Sequence, residues 1–204
     1  MRDVNLPTAT GTLLLAMCFA LIAILPASGQ TIGPAEQARL ADGEVLISVE
    51  PDAQPSVARI VAAIEIAAAP SRVWATMLDC ARAPKFIGGL VSCRILQRDP
   101  KGLWDVREHR VSWIALFPAV RSVFRSAYVI DQSISFQRVE GDIDILEGDW
   151  TFEALRGGAA TRLRYAARVG KETVVPGFMI RAAISNDVPK TLRSLREEVL
   201  RGTR

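Results

Sequence analysis

Histidine and cysteine are scarce in this chain of 204 residues, which has one of the first and three of the second. Because His109 is the only histidine, a zinc site with two histidine ligands is excluded, as is any mechanism that needs a histidine pair. The Gly-x-Ser-x-Gly elbow, His-Glu-x-x-His, the phosphate-binding loop and Cys-x-x-Cys are also absent. We therefore assign no catalytic residue and expect no metal or cofactor. His109 could serve as a general base, although an ordinary histidine is the simpler interpretation.

A marked excess of charge is also missing, since 25 basic and 22 acidic residues leave a net charge of +3. Nucleic-acid binders concentrate basic residues on one face, with aromatic residues between them. Here arginines and acids alternate along the predicted strands, which indicates a solvated surface and argues against a nucleic-acid partner. The acidic run Asp142, Asp144, Glu147 and Asp149 is interpreted in the same way, because its spacing does not match a calcium-binding loop.

No apolar run is long enough to cross a bilayer. The longest, thirteen residues from Leu13 to Leu25, would span only about 20 Å as a helix. Arg2 precedes it and three small residues, Ala27-Ser28-Gly29, follow it, which is the pattern of a secretory signal. We expect residues 1–29 to be a signal that is cleaved before Gln30, and the mature protein to be exported to the periplasm. A retained N-terminal anchor is the alternative.

Export would leave two cysteines, Cys80 and Cys93, in an oxidising compartment. They lie thirteen positions apart, at the predicted end of a helix and at the start of the following strand. Paired cysteines in such compartments are usually bridged where the geometry allows. We predict a disulfide between them, and two buried free thiols are the alternative.

The most strongly patterned segment runs from Pro176 to about Arg201. Its apolar residues recur every three or four positions, which predicts an amphipathic helix with one buried face. That face consists of Ile180, Ile184, Val188, Leu192, Leu195 and Val199. Their burial is worth on the order of 10 kcal/mol before conformational entropy is subtracted. Pro189 removes one backbone hydrogen bond inside the helix, so we expect a single bent element.

Most of the chain between residues 44 and 170 alternates as β-strands. A helix is predicted from Pro70 to about Cys80, with Ser71 as its cap, and Gly148 suggests a β-bulge. We place a short helix and a strand in an N-terminal extension of residues 30–56, and the main domain at residues 57–204. The order of elements predicts an α+β domain in which one curved antiparallel sheet wraps the C-terminal helix.

Six short segments carry a family signature. They are residues 69–74 (Ala-Pro-Ser-Arg-Val-Trp), Asp79 with 84–87 (Pro-Lys-Phe-Ile), 148–150 (Gly-Asp-Trp), 161–165 (Thr-Arg-Leu-Arg-Tyr), 176–178 (Pro-Gly-Phe) and 189–192 (Pro-Lys-Thr-Leu). By these segments the chain, over roughly residues 57–201, resembles the START-like (SRPBCC, helix-grip) superfamily of the polyketide cyclase/dehydrase and coenzyme Q-binding type. The resemblance implies a curved antiparallel sheet of about seven strands around a long C-terminal helix.

The same resemblance implies a cavity between the sheet and the C-terminal helix that holds one hydrophobic molecule, such as a lipid, a quinone or a polyketide-like compound. Aromatic residues occur in nearly every element, and together with two isoleucines of the final helix they are the candidate ligand contacts. These candidates are Trp74, Phe86, Trp104, Trp113, Phe117, Phe124, Trp150, Phe152, Tyr165, Phe178, Ile180 and Ile184. A filled core would use many of the same side chains, so that alternative stays open.

We expect first a non-enzymatic protein that binds or carries a hydrophobic small molecule, with transient membrane contact. The alternative is a cyclase or dehydratase acting in the same cavity, with Arg, Asp or His109 as acid and base. A buried polar cluster with shifted pKa values would favour the enzyme, and a uniformly apolar cavity would favour the carrier. A purely structural domain with a filled core is the third hypothesis.

Overall fold

The computed structural model describes residues 32–54, 56–112, 119–171 and 177–201. The predicted signal of residues 1–29 lies outside these ranges, as do Trp113, Phe117 and Pro176. Within the ranges, the structure contains no helix that is both long and apolar enough to span a membrane.

Helices and strands follow one another in the order that the alternation of apolar and polar residues predicts. The helices are α1 (Pro34–Ala41), α2 (Pro70–Leu78) and α3 (Gly177–Arg201), and the strands are β1 (Leu46–Pro51), β2 (Val57–Ile66), β3 (Leu90–Arg98), β4 (Trp104–Val111), β5 (Val120–Val129), β6 (Ser133–Gly141), β7 (Ile145–Leu155) and β8 (Ala160–Gly170). Short 3₁₀ turns occur at Ala83–Lys85 and Arg156–Gly158. The predicted cap at Ser71 is not formed, because the N-cap position of α2 is Ala69.

All eight strands belong to one antiparallel sheet in the order β1-β2-β8-β7-β6-β5-β4-β3. Strands β3 to β8 form a meander, and β8 then lies beside β2. The predicted α+β architecture, a curved antiparallel sheet with a long C-terminal helix, is confirmed. The sheet has one strand more than the predicted seven, because β1 of the predicted N-terminal extension pairs with β2 from Leu46↔Ala63 to Pro51↔Ala58.

Helix α3 is continuous through Pro189. Leu192, Leu195 and Val199 are buried in the core, as their spacing predicts. In the first half of the helix, by contrast, the stripe residues Ile180 and Ile184 are only half-buried. The predicted apolar face is therefore fully covered only in the C-terminal half of α3.

Glu198 anchors the C-terminal half of α3 to the segment that follows α2. Glu198 is 3% exposed, and its carboxylate accepts a hydrogen bond of 3.0 Å from Nε of Arg82, with Nζ of Lys85 at 3.5 Å. The Arg82 hydrogen bond holds the pKa of Glu198 below its usual range. Arg82 and Arg72 also donate to the backbone carbonyls of Glu198 and Val199, at 2.8 and 2.9 Å. The last carbonyls of a helix have no partner within the helix, and the two arginines supply positively charged donors for them.

The predicted disulfide between Cys80 and Cys93 is confirmed, with a Cα–Cα distance of 5.2 Å. It joins the segment after α2 to strand β3. The loop that it closes contains Phe86, which is buried in the core. A disulfide that closes a loop of this length stabilises the fold by about 3 kcal/mol, because the cross-link restricts the unfolded chain.

Gly148 lies in β7 opposite Ala167 of β8, and the two strands stay in register on both sides of it. The predicted bulge is therefore not formed. A Cβ atom at this position would lie 2.2 Å from the carbonyl oxygen of Ala166 and 2.7 Å from Cα of Ala167. The close approach of the two strands thus requires glycine here.

We predict that Gly148→Ala lowers the free energy of unfolding by about 2–3 kcal/mol, because backbone atoms of β8 must move to admit the methyl group. The matched control is Gly88→Ala, whose Cβ would meet no atom within 4 Å. Chemical denaturation of both variants measures the difference. Equal stability of the two would contradict the close approach of β7 and β8.

Candidate functional site

A cavity of about 280 Å³ lies between the inner face of the sheet and α3. Its walls come from the end of α2, the loop after it, strands β4 to β8 and the middle of α3. Most of the lining is apolar, and Phe86, Phe124, Leu146, Trp150, Val188 and Leu192 contribute to it. This is the place that the fold resemblance implies for a hydrophobic molecule.

Four of the predicted ligand contacts line this cavity: Phe86, Phe124, Trp150 and Tyr165. The rings of Trp150 and Tyr165 stack at 4.2 Å between centroids. Trp74 and Phe152 pack behind the wall, in the core, with their ring centroids 5.3 Å apart. Of these six side chains, four can therefore touch a ligand directly.

The remaining described candidates lie elsewhere. Trp104 is on the outer face of the sheet, where the guanidinium of Arg125 lies 4.8 Å from its ring centroid. Phe178 is 64% exposed, and Ile180 and Ile184, although half-buried, are not part of the cavity wall. We therefore do not retain these four as cavity contacts. Trp113 and Phe117 lie outside the described residues.

A buried ion pair stands at one side of the cavity. Arg107 lines the wall and is 5% exposed, and Asp105 beside it on β4 is 2% exposed. Nε of Arg107 donates to Oδ1 of Asp105 at 3.0 Å, and Nη2 donates to Oδ2. Nη2 also donates to the hydroxyl of Tyr128 at 2.9 Å. The bidentate pair is neutral as a unit, and its geometry is the strong form of the arginine–carboxylate contact.

His109 follows on the same face of β4 and also lines the cavity. Its ring packs edge-on against Phe124, with 4.9 Å between centroids. The Nε2 atom is buried and has no hydrogen-bond partner among the described residues. Burial, followed by the positive charge of Arg107, lowers the pKa of His109 from 6.5 to about 4, with Asp105 acting in the opposite direction. The imidazole is therefore neutral at pH 7.

Hydroxyl groups complete the polar part of the lining. Ser122 lies directly opposite His109 across the β4–β5 pair, and Ser126 lies opposite Asp105. Tyr165 of β8 and Thr191 of α3 contribute two further hydroxyls, and burial raises the pKa of Tyr165, so it stays a neutral phenol. An apolar cavity with a few convergent polar groups is the usual form of a small-molecule site.

A larger concavity, of about 690 Å³, opens on the outer face of the sheet. Its floor includes the small side chains of Ala127, Ser135 and Ala166. Three arginines line it, of which Arg168 is paired with Asp52 and Glu147, at 3.0 and 2.6 Å, and Arg59 with Glu50, at 3.5 Å. Because this outer surface is lined by five charged residues and the cavity under α3 by one, we take the smaller, more apolar cavity as the candidate site.

Sequence reasoning missed the polar members of the site, Asp105, Arg107, Ser122 and Ser126. The signal for them was the period-two alternation of strand side chains. Asp105 and Arg107 share the parity of His109, and the selection of aromatic residues as ligand contacts passed over these two. The same parity places Trp104 on the opposite face.

Comparisons with known proteins agree with this geometry. A family model described as polyketide cyclase / dehydrase and lipid transport matches residues 66–196. The solved aromatase/cyclase Zhui from Streptomyces sp. R1128 superposes with a TM-score of 0.62 at 15% identity, covering 72% of this chain and 96% of that one. A START superfamily protein from Mycobacterium smegmatis gives a TM-score of 0.61 at 19% identity, covering 70% and 97%.

A STAR-related lipid transfer protein from Xanthomonas axonopodis gives a TM-score of 0.62 at 14% identity, covering 76% of this chain and 93% of that one. At these identities the structures show a shared fold. A search of curated proteins found no significant match.

We predict that His109 titrates near pH 4. Because it is the only histidine, NMR of its ring protons in untagged protein gives the pKa directly. Between pH 6.5 and 4 the unfolded chain binds a proton that the folded chain does not, so the free energy of unfolding falls as the pH is lowered through this window. His109→Phe removes that component. A measured pKa within one unit of 6.5 would show that the imidazole is not buried as described.

Proposed function

Since the chain belongs to the polyketide cyclase/dehydrase and lipid-transport family, we propose that it binds and carries a hydrophobic small molecule in the cavity under α3. The observation that carries this proposal is the cavity itself, mostly apolar and placed between the sheet and the helix. Transfer of apolar surface out of water is worth about 25 cal/mol per Å², which supplies the driving force. Lipids, quinones and polyketide-like compounds are the ligand classes considered.

Entry and release would use the first half of α3. From Gly177 to Val188 no described residue of this helix is fully buried. The C-terminal half, by contrast, is held by buried leucines and by Glu198. Segments with few buried contacts open at the lowest free-energy cost. Phe178 and Met179, 64% and 52% exposed, are the side chains through which we expect transient contact with a membrane.

Export to the periplasm is part of the same proposal. The N-terminal apolar run has the length and flanks of a secretory signal. The Cys80–Cys93 disulfide fits an oxidising compartment. A carrier in that compartment would shield an apolar molecule from water.

A second candidate function is a cyclase or dehydratase, and His109 is the observation that favours it. A neutral imidazole with an unpaired nitrogen at a cavity wall can accept a proton from a bound carbonyl compound. The buried polar cluster of Arg107, Asp105 and Tyr128 beside it is the feature expected of a site that does chemistry. Carriage needs none of these groups to react.

The test of the carrier function is native mass spectrometry of the purified protein, followed by extraction and identification of the bound molecule. We predict one hydrophobic molecule per chain. Thr191→Trp, at a position of α3 that lines the cavity, should abolish retention because the indole fills the space. Lys190→Trp, on the exposed side of the same helix, should retain the molecule.

The outcome separates the candidate functions. Recovery of the molecule chemically unchanged after incubation supports carriage, and recovery of a product lighter by one water supports the dehydratase. Protein that is empty in wild type and in Lys190→Trp alike would count against both.

A further inference from the structure

Polar side chains are concentrated on the wall of the cavity that β4 and β5 form. We define it by four residues, Arg107, His109, Ser122 and Ser126, and call it the polar wall. We infer that the ligand is an uncharged amphiphile whose hydroxyl or carbonyl oxygen binds at the polar wall. Carboxylates and phosphates are rejected. This inference rests on the proposed function.

One hydrogen-bonding atom of the polar wall lacks a partner among the described residues. The Nε2 atom of His109 is buried without a partner in the described part of the chain. Ser122 and Ser126 place hydroxyl groups in the same wall, on β5 opposite His109 and Asp105. Arg107 lines the same wall and uses Nε and Nη2 for Asp105 and Tyr128. Buried polar groups in folded proteins nearly always have partners, so Nε2 of His109 lacks a partner that a ligand would supply, and the two serine hydroxyls lie in the same wall.

Charge is the second step. Among the described residues that line the cavity, Arg107 is the only one with a formal charge. Asp105, directly behind it, already neutralises that charge through a bidentate contact. His109 is neutral at pH 7. A bound carboxylate or phosphate would therefore be a buried charge without compensation, which is strongly unfavourable.

Size is the third step. The cavity volume of about 280 Å³ equals roughly nine water molecules at about 30 Å³ each, and it lies just below the usual range of ligand pockets. That space fits a compact ring system. It does not fit a lipid with two acyl chains. The three steps together describe a small, uncharged ring compound or short-chain compound with one oxygen-bearing end.

The experiment uses three probes with the same ring system: naphthalene, 2-naphthol and 2-naphthoate. Dissociation constants are measured at pH 7 by equilibrium dialysis, with protein that has been stripped of bound molecules on a hydrophobic resin. We predict that 2-naphthol binds about ten-fold more tightly than naphthalene, the usual effect of one hydrogen bond to an otherwise unpaired buried group. 2-Naphthoate should bind at least ten-fold more weakly than 2-naphthol.

Two variants assign the effect to the polar wall. His109→Leu and Ser126→Ala should each bring the affinity for 2-naphthol towards that for naphthalene, while naphthalene binding stays within about two-fold of wild type. Ser135→Ala is the matched control, because Ser135 lies on the outer face of the neighbouring strand β6. It should keep the full preference for 2-naphthol. Retained naphthalene binding shows that each variant is folded.

Three results would overturn the inference. Equal affinity for all three probes would refute selection by the polar wall while leaving the proposed function intact. Tighter binding of 2-naphthoate than of 2-naphthol would show that Arg107 acts as a free cation. Saturable binding of none of the probes would overturn the proposed function and the inference together.

Discussion

The packing of α3 against one side of the sheet is the constraint on which the site depends. Buried Leu192, Leu195 and Val199 hold its C-terminal half over β1, β2 and α2. Eight strands spaced about 4.8 Å apart span roughly 34 Å, whereas a helix is about 10–12 Å across. One helix therefore cannot cover the whole inner face. The curvature of the sheet encloses the uncovered part, at β4 to β8, and that enclosed space is the cavity.

The polar wall determines which chemical groups of a ligand the cavity can bind. No described residue pairs with Nε2 of His109, and a buried polar group without a partner costs about 1–3 kcal/mol of stability. The Asp105–Arg107 pair, by contrast, is satisfied internally and also holds Tyr128. Stability and binding thus compete at β4, because the groups that weaken the empty protein are the ones that a ligand would satisfy. A domain with a filled core would have no need for them.

Much of the fold follows from periodicity, and the site follows only in part. Leu163 of β8 and the buried half of α3 are where their spacing places them. Periodicity also identifies the apolar face of the first half of α3, but it cannot say whether another element covers Ile180 and Ile184. Trp104 is a candidate ligand contact by its residue type alone, although strand parity places its side chain on the other face of the sheet from Asp105. Strands β1 and β2 are consecutive in the chain and pair as an antiparallel hairpin, but placing β1 in an N-terminal extension left it out of the predicted count of strands.

A crystal structure of the protein as purified, with no ligand added, tests the central claim most directly. We predict continuous electron density for one compact molecule in the cavity under α3, with an oxygen atom within hydrogen-bond distance of Nε2 of His109. Apolar density should lie against Trp150 and Leu192. A cavity closed by side chains, or one that holds only water bonded to His109 and Ser126, would contradict the account.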